Sequence, residues 1–379
     1  MKHKSRAKQA GVALIAALIL MTSIVLVLGN IFYRHQINVA QASLSMHQDQ
    51  AFLLALSAES WARQLLDEDD RKFDHFDEIW AQAIPAMPVD GGLINGCISD
   101  LQSRFNINSL LTYKNYTELV SAISGDKSSF AKVWTNLLRN QEIPYDADRL
   151  ATVIDWLDAN SSTMGSNGAE RDIYEGLMPP QMIADSPMVQ TSELASVIGY
   201  RVAEVQRLMP LMSALPVLQN EKPNDNNIIN INLNTASNEL LMALGGDVDT
   251  MFTEAITANR PLETIEEFYE ILAFDLGFTM PDIENRWPRE LVGVASQFFE
   301  LYIEVMLGEA RIEVRSIIMR SSNKDSVIIS RDLTTVPASV EKDSASGFLD
   351  KLTQGADSDK DSDMIDEQQV LPACIMIGA

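Results

Sequence analysis

The residues best equipped for chemistry in this chain are oxygen donors. Asp155-Trp156-Leu157-Asp158-Ala159-Asn160 leads into a loop rich in Ser, Gly and Asn, and Gly168-Ala169-Glu170-Arg171-Asp172-Ile173-Tyr174 closes it. Calcium takes roughly six to eight oxygens from carboxylates, amide carbonyls and backbone, and a loop with acidic residues at both ends can wrap such an ion. The segment is not an EF-hand: counting from Asp158, the sixth position is Thr163 rather than Gly and the twelfth is Ala169 rather than Glu. A helix C-terminus followed by a solvated acidic loop is the other reading. Asp357, Asp359 and Asp361 have the alternate spacing of a calcium loop, but Ser362 stands where Gly is needed and Gln368 where the bidentate Glu is needed. That run reads as a solvated tail.

Catalytic groups are sparse. Of the four histidines, His3 precedes the apolar N-terminal run, and His35, His47 and His75 lie on or near the helix that continues it, so neither a Ser-His-Asp nor a zinc pattern forms. There is no phosphate loop or dinucleotide fingerprint. The expectation is a protein that is not an enzyme; a membrane-tethered hydrolase is the rival that these missing groups disfavour. A formal charge of −24 opposes nucleic-acid binding, which neutralises phosphates with Lys and Arg. Cys97 and Cys374 are too few for a disulfide framework and allow one bridge at most.

These residues need elements to position them. Val12 to Phe32 is an apolar run that follows Lys2, Lys4, Arg6, Lys8 and Gly11. Its length suits one crossing of the ~30 Å hydrocarbon core, and the basic leader keeps the N-terminus cytoplasmic. A cleaved secretory signal would have a shorter apolar stretch, roughly 7–15 residues; a plain anchor passes the same hydropathy test. From Tyr33 to about Asp69 there is neither Pro nor Gly, so the helix is expected to continue, with Ala51, Leu54, Ala55, Ala58, Trp61 and Leu65 on one face. Such a helix is ~80 Å long, more than an anchor requires.

Beyond it, Leu93 to Asp100 and Gln102 to Ile107 read as strands, with Asn108 or Ser109 capping a helix. Helices follow over Phe130 to Arg139 and Asp146 to Trp156. A second passage, Ile231-Asn232-Leu233-Asn234-Thr235-Ala236-Ser237, repeats the first and enters a helix from Asn238 to Leu244, then Gly245-Gly246-Asp247 and a helix near Met251 to Asn259. This resembles a helix-hairpin-helix module. Its hairpin carries Asp247 and Asp249 and no lysine, which repels phosphate, so we read it as a packing unit. Strands return over Phe298 to Val305, Ala310 to Arg320 and Ser326 to Arg331, with turns at Leu307-Gly308-Glu309 and Ser321 to Lys324. From Ala338 onward the chain is polar and acidic, and reads as a flexible tail.

The junction Ala10-Gly11-Val12-Ala13-Leu14-Ile15 resembles the class III leader of type IV pilins and type II secretion pseudopilins. That leader, Ile98-Ser99-Asp100-Leu101-Gln102-Ser103-Arg104-Phe105-Asn106-Ile107-Asn108, Asp155-Trp156-Leu157-Asp158 with Gly168-Ala169-Glu170, and Asn232-Leu233-Asn234-Thr235-Ala236 occur in order. Together they resemble the K-type minor pseudopilin of the type II secretion system; Pro179-Pro180 and Ser192-Glu193-Leu194 fit its continuation.

The resemblance implies an α+β fold, in which a pilin-like N-terminal helix packs on a small antiparallel sheet and a large all-α domain is inserted between strands. The expected division is 1–11 cleaved leader, 12–33 transmembrane half-helix, 34–107 periplasmic helix and first strands, 108–290 inserted helical domain, 291–337 C-terminal strands, and 338–379 acidic tail. It implies cleavage after Gly11 by prepilin peptidase and an N-methylated Val12; loss of the four leader charges takes the formal charge from −24 to −28. It implies a single-pass inner-membrane protein with a periplasmic domain at the tip of the pseudopilus. Its partners would be the I- and J-type minor pseudopilins, the major pseudopilin and the assembly platform, with no nucleic acid. It also implies calcium, held by Asp158, Asn160, Glu170 and Asp172, where Asn160 departs from the expected Asp. Most pilins place Glu at the fifth mature residue, and this chain has Ala16 there. A carboxylate inside the bilayer costs about 2.5–3.5 kcal/mol unless paired, so a subunit without one needs no neighbour above it. The remaining alternative is an inner-membrane-anchored periplasmic adaptor or DNA-uptake-type binding protein with helix-hairpin-helix modules.

Overall fold

The structure is a computed structural model, and it describes residues 10–82, 84–216, 229–246, 248, 250–320 and 325–336. Helix α1 (Ala10–Glu68) runs without interruption through the apolar segment and on to the body of the protein. Its membrane-length stretch is wholly exposed, as expected of a segment whose solvent is lipid. Further along, Ala51, Ala55, Ala62 and Leu66 are buried against a sheet. Three of these four are alanines, and small side chains let a helix backbone approach the strands closely. Trp61, expected on that face, is exposed instead. The buried stripe continues through Ala62 and Leu66, one position further round the helix, and leaves Leu54, Ala58 and Leu65 at its margin.

A short turn at Ile79–Ala81 leads to β1 (Ile84–Val89) and β2 (Gly92–Asp100). The chain then leaves the sheet. The strand expected over Gln102 to Ile107 is confined to β3 (Phe105–Asn106), between short 3-10 helices at Leu101–Ser103 and Ile107–Thr112. Nor is Asn108 or Ser109 the cap: Asn106 is, its Oδ1 accepting from Asn108 N at 3.2 Å.

Helices α2 (Tyr116–Ser124), α3 (Phe130–Asn140), α4 (Ala147–Leu157), α5 (Arg171–Glu175) and α6 (Val202–Leu208) follow. Side-chain oxygens of Asn115, Ser129 and Asp146 cap the first three, each accepting from an N–H in the first turn. Strand β4 (Met212–Ser213) pairs with β3, and β5 (Ile231–Asn232) leads to α7 (Asn238–Gly245), α8 (Thr250–Ala258), α9 (Ile265–Phe274) and α10 (Met280–Arg286). Strand β6 (Val292–Gly293) pairs with β5 and returns the chain to the sheet as β7 (Phe298–Leu307), β8 (Ala310–Met319) and β9 (Val327–Val336).

The sheet is antiparallel in the order β1-β2-β7-β8-β9, so everything from Leu101 to Gln297 is spliced between two neighbouring strands. The β7–β8 hairpin turns at Gly308, whose φ of 57° is costly for other residues. A Cβ there would also collide with His47 on α1.

Two cores result. One lies between α1 and the inner sheet face of Ile94, Ile98, Leu301, Ile303, Val305 and Val314. The other fills the helical insertion, where Phe105 stacks on Trp134 and Phe252 on Trp287. Two Asn-x-Asn passages build the insertion in the same way. Asn106 and Asn232 each turn the chain by accepting from the N–H two residues on. Asn108 then bonds the backbone of Met188 and Leu215, and Asn234 bonds both the N–H and the carbonyl of Leu262. A buried Asn satisfied on both sides of its amide holds distant segments in register.

Candidate metal centre

The acidic loop is built on the end of α4. Asp155 is fully buried, and its two oxygens accept from Met164 N and Ala169 N at 2.7 Å each, which closes the loop over one carboxylate. Gly168 makes this closure possible, because a Cβ there would overlap Asp155 Oδ2. Asp158 caps α4 and accepts from Asn160 N at 3.0 Å, and Asn160 in turn accepts from Ser162 N at 2.7 Å.

Glu170, the N-cap of α5, is only 4 % exposed, and its Oε1 has no hydrogen-bond partner. Burial, then the charges of Asp155, Asp158 and Asp185, push that carboxyl up to about 7. Burial raises Asp155 to about 6, and Asp158 also lies above its ordinary range through burial, with Asp185 adding to the shift. Asp185 holds Arg171 at 2.5 Å through Oδ2, while its buried Oδ1 has no partner.

The fold thus brings Asp155, Asp158, Glu170 and Asp185 within electrostatic reach of one another. Of the four residues expected to bind metal, Asp158 and Glu170 belong to this group. Asn160 is exposed and its amide oxygen is used in the loop turn, while Asp172 is exposed on the first turn of α5. Asp185 was missed because it comes from a separate loop, with a left-handed backbone (φ 47°) that nothing in its neighbours announces. Two orphaned, buried carboxylate oxygens within mutual electrostatic reach suit a hard cation with oxygen ligands, so the residues present fit calcium.

Asp69, Asp74 and Glu78 also bring carboxylate oxygens together, within 4.8 Å. There the cation is already internal. Arg320 binds Asp74 with Nη2 and Asp69 with Nη1, and Glu78 accepts from Trp80 Nε1. Behind this group, Asp100 Oδ2 accepts from Asn232, Thr235 and Ser296, so the cluster joins the sheet to the insertion.

The expected helix-hairpin-helix hairpin is α7-Gly246-α8, although Asp247 and Asp249 lie outside the described residues. Asn136 on α3 donates to Ala243 O at 2.9 Å, and Leu240, Leu241 and Leu244 are buried. This end of the module faces protein, as a packing unit does.

An exposed apolar half-helix, a packed half-helix and an antiparallel sheet split by a helical domain define an α+β protein of pilin-like architecture. Residues 103–217 match the family model described as type II secretion system (T2SS), protein K. The type II secretion system protein K of Aeromonas hydrophila is 30 % identical over 338 residues, covering 86 % of this chain and 97 % of that protein. That of Pectobacterium carotovorum subsp. carotovorum is 30 % identical over 340 residues, covering 85 % and 96 %. The chain belongs to the type II secretion system protein K family. A chain in the crystal structure of the GspK-GspI-GspJ complex from enterotoxigenic Escherichia coli shares the fold, with a TM-score of 0.64 at 22 % identity, covering 78 % of this chain and 99 % of that one.

Proposed function

We propose that this protein is a minor pseudopilin. It assembles with I- and J-type minor pseudopilins to initiate and cap the periplasmic pseudopilus that drives protein export across the outer membrane. The observation that carries this reading is family membership over nearly the full length of the relatives. The geometry supports it. α1 leaves residues 13–46 exposed for neighbours and lipid, and Ala16 places no carboxylate in the bilayer. The large insertion beside the sheet leaves little room for another subunit to stack above.

In this reading, prepilin peptidase cuts after Gly11 and methylates Val12, and the major pseudopilin and assembly platform take up the mature helix. The C-terminal domain lies in the periplasm, tethered to the inner membrane by residues 12–33. Calcium, held by Asp158, Glu170 and Asp185, would neutralise the buried carboxylates and fix the loop after α4 to the loop before Met188.

The test is co-expression of residues 34–379 with the I- and J-type proteins of the same organism. Co-elution of all three as one species is expected. Separate elution of this chain, with a stable I–J pair, would overturn the assignment.

A further inference from the structure

The dipeptide Asn-Gly occurs twice in the sequence, as Asn95-Gly96 and Asn167-Gly168. This pair has a chemistry of its own. The glycine nitrogen, with no Cβ beside it, can close on the asparagine side-chain carbon, expelling ammonia and leaving a succinimide ring. Closure requires a backbone free to turn that nitrogen towards the side chain, so the fold decides which copy reacts.

Asn95-Gly96 lies within β2, where Gly96 is paired with Ile84 of β1 on one side and Ile303 of β7 on the other. Asn95 is buried, and the Tyr302 carbonyl lies so close to Gly96 that a Cβ there would meet it at 2.5 Å. A strand paired along both edges cannot turn its nitrogen without breaking the ladder. Asn167-Gly168 is placed differently. It belongs to the loop between α4 and α5, with Ser166 and Asn167 exposed. Among the described residues the Gly168 N–H makes no hydrogen bond, whereas Asp155 holds the N–H groups of Met164 and Ala169 in the same loop. The Asn167 side chain has a single tether: Nδ2 donates to Asp148 Oδ2 at 2.6 Å, on a carboxylate that also accepts from the Tyr116 hydroxyl.

We propose that Asn167 is a site of spontaneous deamidation, and that the reaction releases the loop closed over Asp155. Gly168 N bonds to Asn167 Cγ, the Cγ–Nδ2 bond breaks, and the amide nitrogen leaves as ammonia, carrying the proton that Gly168 N gives up. Water then adds to either carbonyl of the succinimide and opens it to isoaspartate or aspartate; no oxidant or reductant takes part. Either product sets a carboxylate against Asp148 where an N–H donor stood, so the tether becomes a repulsion. Isoaspartate also lengthens the main chain by a methylene just before Gly168, at a point so tight that a Cβ would overlap Asp155 Oδ2. The bonds from Met164 N and Ala169 N to Asp155 depend on that close approach and weaken with it. The proposal depends neither on the assembly role nor on a bound ion.

The test follows the full chain, purified in detergent and held in mildly alkaline buffer, by peptide mass spectrometry over days. Asn167 is expected to show the amide-to-acid mass gain, in a peptide that splits into two isomers, several-fold faster than Asn95 of the same molecules. In urea the two rates should converge, because the ladder that protects Asn95 is gone. Equal rates in the folded chain, or an Asn167 that outlasts Asn95, would overturn the site. Asn167→Gln, whose longer side chain closes a ring far more slowly, should abolish the conversion. A mass gain that persists in this variant would place the reaction at Asn160, in the same loop, and overturn the assignment. Hydrogen exchange reads the release: the amides of Met164 and Ala169 should exchange several-fold faster in the aged chain than in the fresh one. Unchanged protection of both in fully deamidated chain would overturn the opening of the loop.

Discussion

The proposed metal centre turns on individual carboxylates that the fold leaves largely without a cation. Four acidic groups lie within electrostatic reach of one another at the end of α4, and Arg171, which pairs with Asp185, also bears on Glu170. Charge of one sign in a buried place is costly unless an ion offsets it. Chelation is therefore expected to lower the melting temperature of a chain lacking residues 1–33, and Glu170→Gln and Asp185→Asn should each abolish that difference. Asp172→Asn, on the exposed turn, should retain it; a curve insensitive to millimolar chelator would leave only a solvated acidic loop. The pH dependence follows from the same residue. Glu170 holds its proton to about 7 in the fold against an ordinary 4.5, so the metal-free folded state binds more protons than the unfolded chain between those values. Stability in chelator should accordingly fall as pH rises from 4.5 to 7, and excess calcium should flatten that slope. Melting curves across this range, with and without calcium, measure both. Asp158 and Glu170 stand out in sequence as candidates because both flank the loop, whereas Asp185 does not, since only the path of the chain after α5 brings it back.

At the scale of elements, α1 carries the clearest message in the sequence. A long run without Pro or Gly, apolar at first and amphipathic afterwards, has no alternative to a helix with two environments. Its exact buried stripe was less legible, because Trp61 satisfies the helical spacing while its bulk does not suit the close approach that Ala55 and Ala62 permit. Glu59 makes the same point: it sits buried on that stripe because Ser316 and Arg331 of the sheet reach it, and sequence spacing does not reveal such partners. If the leader is removed at Gly11, mass spectrometry of the chain extracted from membranes should find an N-methylated Val12 as the first residue. An intact Met1, or a terminus near Asn30, would reject the cleavage. The two Asn-x-Asn passages were visible as a repeat, yet their function as backbone clamps depended on partners far along the chain, Met188, Leu215 and Leu262.

At the scale of the whole molecule, the sheet and the insertion are separate cores joined by a buried polar hub. Arg320 is its cation, bound to Asp69, Asp74 and the Ser296 carbonyl and stacked over Phe299. Removing one partner of a buried pair leaves the other uncompensated, so Arg320→Met is expected to cost about 3–5 kcal/mol in urea unfolding. A loss below ~1 kcal/mol would mean that water enters the hub and the domains are not coupled there. The sequence by itself determined the membrane helix, the helical insertion between strands and the acidic loop, because each is written in local periodicity, composition or spacing. The tertiary structure alone decided which carboxylates converge, which side of α1 is buried and how the two cores are tied. Those outcomes depend on contacts between residues far apart in the chain, and local pattern carries no record of them.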